Sequence, residues 1–335
     1  MLESSGAPQQ KRDPLGGIRR TSAKASMSSD RQNDVPPRIA GYVAMLVVLG
    51  GSAYVLAAVL APGSRRDSVP RTTSSTRNAP DTGSTAVQGL FDAGGHQLYL
   101  KCEGSGSSTV VYLHGFIETP ASGGSQNAGL VPSLLREHAQ VCVYDRANVG
   151  HSGSLRGPLT GKASVADLHR LLAAAHILGP YVLVGASFGG LIAVMYAATY
   201  PEDVAGMVLL DASLPDDVIK VDNRFLPRAA RFTAHDWKRN TEQMDRGATH
   251  REARAMQARM PNIPLTYIAT SRIELDSSWP IEQMTAAIRA EQRAFVTRFS
   301  RGRLIQFDVP HFMEPAIPGT IADEIKRVLA AASSK

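Results

Sequence analysis

Residues 181–198 read YVLVGASFGGLIAVMYAA. The first five, Tyr181 to Gly185, form a continuous apolar run of strand length, and Gly189 to Tyr200 has the small and apolar residues of a helix. Between them stands Gly185-Ala186-Ser187-Phe188-Gly189, a G-x-S-x-G motif in the strand-turn-helix setting that its chemistry requires. A turn this tight needs glycines on both sides of the serine for backbone clearance. It also holds Ser187 in a strained conformation, with its hydroxyl projecting above the sheet at a helix N-terminus. The bland alternative is a helix-capping serine, but strand before and helix after make Ser187 the candidate nucleophile.

Outward from this motif the chain alternates apolar strands with helical stretches, which predicts an α/β fold with a mainly parallel sheet. His96 to Cys102, Thr109 to Leu113 (TVVYL), Gln140 to Tyr144 (QVCVY), Val204 to Leu210 (VAGMVLL), Leu265 to Thr270 and Arg303 to Val309 read as further strands. Helices are predicted over Leu130 to His138, from a cap at Ser164 to about Leu178, over Ile281 to Arg298, and over Ile321 to Ala331. No internal repeat is visible. An insertion of about 45 residues after Pro215, rich in Arg, Met and helix formers, interrupts the alternation.

A serine hydroxyl needs a general base within hydrogen-bond reach, and histidine has the suitable pKa. Of nine histidines, His311 follows the last strand and precedes the last helix. That puts it at the carboxyl edge of the sheet, where open α/β sheets keep their sites. It also completes the chain order nucleophile, acid, histidine. The oxyanion of a tetrahedral intermediate needs backbone N–H donors. Phe188, directly after the nucleophile, supplies one, and Phe116, in the Leu113-His114-Gly115-Phe116 loop after TVVYL, is the candidate for the second. His114 is read as ordering that loop. For the acid, Asp211 ends one strand at the carboxyl edge, and Glu274 and Asp276 follow the next.

The chain has 335 residues and a formal net charge of +6. Residues 1–38 carry +3, residues 62–81 carry +2, and residues 82–335 hold 25 basic and 24 acidic residues. The excess therefore belongs to flanking tails, which argues against nucleic-acid binding. Residues 1–38 read as a disordered basic tail and 62–86 as a Ser/Thr/Arg/Pro linker. Between them, Ile39 to Ala61 is 23 residues without a charge, long enough to span a hydrocarbon layer of roughly 30 Å. The expectation is a transmembrane helix anchoring the chain as a single-pass protein; a cleaved signal peptide followed by secretion is the rival. With two cysteines and no Cys/His cluster, no metal site is suggested.

Taken together these segments resemble the α/β-hydrolase fold family from about residue 88 to 333. Beyond the elbow, Tyr144-Asp145-Arg146-Ala147-Asn148-Val149-Gly150-His151-Ser152 is similar to the Y-D-R-A-G-x-G-x-S segment of one branch, with Asn148 in place of glycine. The resemblance implies an eight-stranded, mainly parallel sheet in a domain spanning 87–335, with a helical cap over the site at about 214–262. It favours Asp211, in Leu210-Asp211-Ala212-Ser213, over Asp276 as the acid. It also implies that Cys102 and Cys142 lie on neighbouring strands, so a disulfide is conceivable, with two buried thiols as the alternative. A disulfide would put the domain in an oxidising, extracytoplasmic compartment. The implied activity is serine hydrolysis of a carboxylic ester or related acyl compound, without cofactor, on a small-molecule substrate. An acyltransferase with the same triad, or a catalytically silent binding module displayed at a membrane, are the other readings.

Overall fold

The structure, a computed structural model, describes residues 86–226, 231, 236–273 and 278–334. The tail, the apolar segment 39–61 and all but Ala86 of the linker lie outside the described residues, as do Glu274 and Asp276. Among the described residues no helix is long and apolar enough to cross a membrane.

Eight strands form one sheet: β1 (Val87–Asp92), β2 (Gln97–Glu103), β3 (Thr109–Leu113), β4 (Gln140–Tyr144), β5 (Tyr181–Ala186), β6 (Val204–Leu210), β7 (Leu265–Thr270) and β8 (Gly302–Phe307). Their order is β1-β2-β4-β3-β5-β6-β7-β8. β2 runs antiparallel to both of its neighbours and every other pairing is parallel. The central strands β3 and β5 are buried at every position, which is why they read as continuous apolar runs and not as alternating ones. Successive residues nonetheless serve different cores. Val111 and Leu183 face one layer, with α2 (Gly161–Ala174) and α3 (Phe188–Thr199); Val110 and Val182 face the other, with α1 (Val131–Leu135) and α6 (Pro318–Ser333).

Three local readings are corrected. β1, with half-exposed alternating residues, has no apolar run and was not anticipated. Helix α1 spans only Val131–Leu135, because the chain turns at His138, whose N–H reaches the Leu135 carbonyl at 2.8 Å, to enter β4. Ser164 is not a cap: α2 starts after Thr160, Ser164 lies inside it, and the helix ends before His176, which takes a positive φ of 56°.

The insertion between β6 and β7 is helical only in pieces. A π-turn over Val218–Asp222 leads into Asn223–Phe225, a 3-10 turn covers Asp236–Arg239, and α4 (Arg246–Met256) is the one substantial helix among its described residues. Asp245 caps α4 by accepting from the Ala248 N–H at 2.7 Å. Thr249 on α4 accepts from the Gly161 N–H at 2.9 Å, fastening the insertion to the start of α2. Helix α5 (Ile281–Val296) follows β7.

Cys102 and Cys142 are directly opposite in the β2–β4 register and form a disulfide. Both are buried, so the bridge ties the antiparallel edge to the parallel body from within the core.

Candidate active site

Ser187 is the first residue after β5 and the N-cap of α3, with φ 50° and ψ −123°. A non-glycine residue at positive φ is strained, and the surroundings must fix it there. They do so through its backbone. Its N–H donates to the Leu210 carbonyl at 2.9 Å, and its carbonyl accepts from Gly190 at 3.0 Å and Ser213 at 2.9 Å. Gly189 is required by packing, since a Cβ there would stand 2.2 Å from the Leu113 carbonyl oxygen and 2.4 Å from that of His114. The elbow is thereby pressed against the loop after β3.

Asp211 follows β6, whose Leu210 pairs with Ala186 of β5, so Ser187 and Asp211 leave adjacent strands at one level. The Asp211 N–H reaches the Ile268 carbonyl at 2.7 Å, and one carboxylate oxygen accepts from the Thr270 N–H at 3.3 Å. The other lies 2.6 Å from His311 Nδ1. Paired in this way, His311 carries its proton on Nδ1 and presents Nε2 as a lone-pair acceptor. The rival acid Asp276 lies outside the described residues, and the histidine's orienting position is filled by Asp211. Three residues beyond His311, Glu314 accepts a hydrogen bond from the Tyr112 hydroxyl on β3, anchoring the histidine loop to the sheet.

Ser187 Oγ and His311 Nε2 are both buried, and neither has a hydrogen-bond partner among the described residues. The acid–histidine bond is formed while the serine–histidine bond is not; contacts of this type commonly tighten only when substrate is bound.

The loop carrying Phe116 lies across the nucleophile: a Cβ on Gly115 would be 3.3 Å from Ser187 Cβ and 3.9 Å from Oγ. The rings of Phe116 and Phe188 meet edge to face, with centroids 5.7 Å apart. Above them the insertion supplies Arg246, 5.0 Å over the Phe116 ring, and His250, 6.5 Å from Phe188. Burial lowers the His250 pKa to about 4, so at neutral pH this imidazole is uncharged.

His114 orders the loop as expected. Its Nδ1 donates to the Gly115 carbonyl at 2.7 Å, and its Nε2 accepts from the Arg146 N–H at 3.3 Å. Burial first and the Arg146 charge second push its pKa well down, which fixes the neutral tautomer this arrangement needs. Asn148 adopts φ 73°, the left-handed conformation that asparagine tolerates in place of glycine.

Sequence reading missed the clamp that holds this loop. The Arg146 guanidinium donates to the His114 carbonyl at 2.8 Å and the Gly115 carbonyl at 2.7 Å. It also makes a two-pronged pair with Glu242, Nε and Nη2 each 2.7 Å from a carboxylate oxygen. Glu242 in turn accepts from the Ile117 N–H at 2.7 Å. Arg146 is 3% exposed and Glu242 1%. A residue of the insertion thus fixes the backbone on both sides of Phe116. The one available signal was Arg146 in the Y-D-R segment; its partner lies 96 residues away. Among the described residues no group of three or more His, Cys, Asp or Glu side chains is placed to hold a metal ion.

A family model described as the alpha/beta hydrolase fold matches residues 108–307. An uncharacterized protein of Bacillus subtilis (strain 168), YqjL, is 26% identical over 228 residues, covering 64% of this chain and 84% of that protein. Among solved structures, haloalkane dehalogenase DbeA from Bradyrhizobium elkani USDA94 superposes with a TM-score of 0.52 at 14% identity, over 74% of this chain and 99% of that one. Cfl2 from Burkholderia cenocepacia does so with a TM-score of 0.52 at 18% identity, over 72% and 94%. At such identities the superpositions speak for the fold alone, and together with the matched family model they make the chain a member of the alpha/beta hydrolase fold family of hydrolase enzymes.

Proposed function

We propose that the chain is a serine hydrolase that cleaves a carboxylic ester or related acyl bond through an acyl-enzyme on Ser187. The observation that carries this reading is the Asp211–His311 bond of 2.6 Å beside a serine held at φ 50°. His311 Nε2 takes the Ser187 proton as Oγ attacks the carbonyl carbon. The N–H groups of Phe116 and Phe188 donate to the oxyanion, and His311 returns its proton to the leaving oxygen. Water, deprotonated by the same imidazole, then releases the acid and restores Ser187. A carboxylate-nucleophile mechanism, such as dehalogenation, is disfavoured because the elbow carries serine.

Residues 39–61 are the membrane anchor in this reading, with the catalytic domain outside the cytoplasm. The Cys102–Cys142 disulfide supports an oxidising compartment, and the charge-free run of 23 residues supports the anchor. The test is a panel of 4-nitrophenyl esters from acetate to decanoate. Turnover of at least one ester by the wild type and its loss in Ser187→Ala support the proposal. Absence of turnover across the panel, or turnover that survives the substitution, counts against it.

A further inference from the structure

Beside His311 a cavity opens between the first part of the insertion and helix α5. Its wall includes Asp211, Asp217 and Asp222. The first is committed to His311, and the second accepts from the Leu214 N–H at 2.6 Å. Asp222 differs. It is 4% exposed, and its carboxylate accepts no hydrogen bond from any described residue; its charged neighbour is Arg246, which also serves Asp236, Glu242 and Glu118. The cation in the cavity wall, Arg272, is engaged with Asp308 at 2.7 Å. Asp222 is thus the acid of this wall that is buried with its acceptors unused.

Burying a carboxyl without partners is costly, and such groups persist where they serve a ligand. We propose that Asp222 recognises substrate: it receives an ammonium N–H, so that the substrates are acyl compounds carrying a basic amine beside the scissile bond. This rests on the acyl-hydrolase reading for the position of that bond, since His311 lines the same cavity. An ammonium supplies what the wall lacks, a donor for the idle carboxylate. Burial raises the Asp222 pKa to about 7, and a bound cation would hold the group ionised.

The test compares two esters of the same shape, 2-(dimethylamino)ethyl butyrate, protonated at pH 7, and 3-methylbutyl butyrate, on the full-length chain. In calorimetric titration of the Ser187→Ala protein the cationic ester should bind about tenfold tighter or more, the worth of one charged hydrogen bond. In the wild type the same preference should show in kcat/KM. Asp222→Asn should erase both preferences, because the amide keeps the volume and loses the charge. Equal binding of the two esters by the folded Ser187→Ala protein overturns the proposal without Asp222 being altered, and so does a preference that persists in Asp222→Asn. Preferential binding without turnover of either ester would retain Asp222 as a cation receptor and remove the hydrolase reading. Equal turnover of both esters would do the reverse.

Discussion

Replacing Glu242 by glutamine removes one negative charge from a pair that water does not reach, with the two side chains 3% and 1% exposed. Glutamine keeps the volume and one carbonyl acceptor, so the Ile117 N–H or one guanidinium N–H remains satisfied. The Arg146 charge is then left buried without its counter-ion. Breaking a buried pair by removing one partner costs about 3–5 kcal/mol, and the retained acceptor places this case near 3. For a domain of this size that corresponds to a fall in Tm of roughly 6–12 °C. Because the clamp fixes the backbone on both sides of Phe116, kcat should fall about tenfold to a hundredfold, short of deleting an oxyanion donor outright. KM should move little, since the affected donor acts on charge that develops in the transition state. Thermal unfolding and steady-state ester hydrolysis measure the two effects. Adding Arg146→Met to Glu242→Gln should recover about 2–3 kcal/mol relative to the sum of the single losses, because the double variant buries no orphan charge. A Glu242→Gln protein with Tm within about 2 °C of wild type and kcat within about twofold would refute the reasoning, since neither loss calculated from the buried pair would have appeared.

Asp211→Asn should lower kcat by about 10⁴ with little change in KM, because the amide favours the wrong imidazole tautomer; a loss under tenfold would remove Asp211 from the triad. Reduction of Cys102–Cys142, or Cys102→Ser with Cys142→Ser, should cost about 4 kcal/mol in urea unfolding, from a loop of 40 residues. Unchanged unfolding midpoints under reductant would show that the bridge does not constrain the unfolded chain. Asp222→Asn should stabilise the protein at pH 8. A carboxyl raised to about 7 in the fold, from about 4 unfolded, opposes folding once pH exceeds the unfolded value, and does so fully above 7. The gain is at most about 4 kcal/mol at pH 8 and vanishes near pH 4. His250 acts in the opposite sense, its contribution fading as pH falls from about 6.5 toward 4. It is common to both proteins, so the difference in Tm between variant and wild type isolates Asp222.

The parts of this molecule legible in the sequence are those governed by short-range pattern. β3, β4, β6 and β7 fall on the apolar runs that announce them because a strand buried on both faces must be apolar throughout. The elbow was legible because a positive-φ serine between strand and helix needs glycines at fixed offsets. His311 followed from topology, four residues beyond the last strand, and Asp211 was one of the acids that topology places at the same sheet edge. Between Asp211 and Asp276 the residues alone left both open and only the resemblance favoured Asp211, since the choice turns on which carboxylate reaches Nδ1. The start of α2 was misread because Thr160 caps no N–H with its side chain, leaving Ser164 as the more conspicuous hydroxyl. Glu242 and Asp222 were invisible for a different reason: they sit in an insertion whose short turns carry no periodicity, and their partners or empty surroundings exist only in the folded chain.

Ser187 as the atom that becomes acylated is tested most directly by intact mass and peptide mapping after exposure to a fluorophosphonate. One adduct on the peptide containing Ser187, absent in Ser187→Ala and slowed by Asp211→Asn, is the predicted result. No adduct on a folded wild-type protein, or an equal adduct after Ser187→Ala, would contradict it.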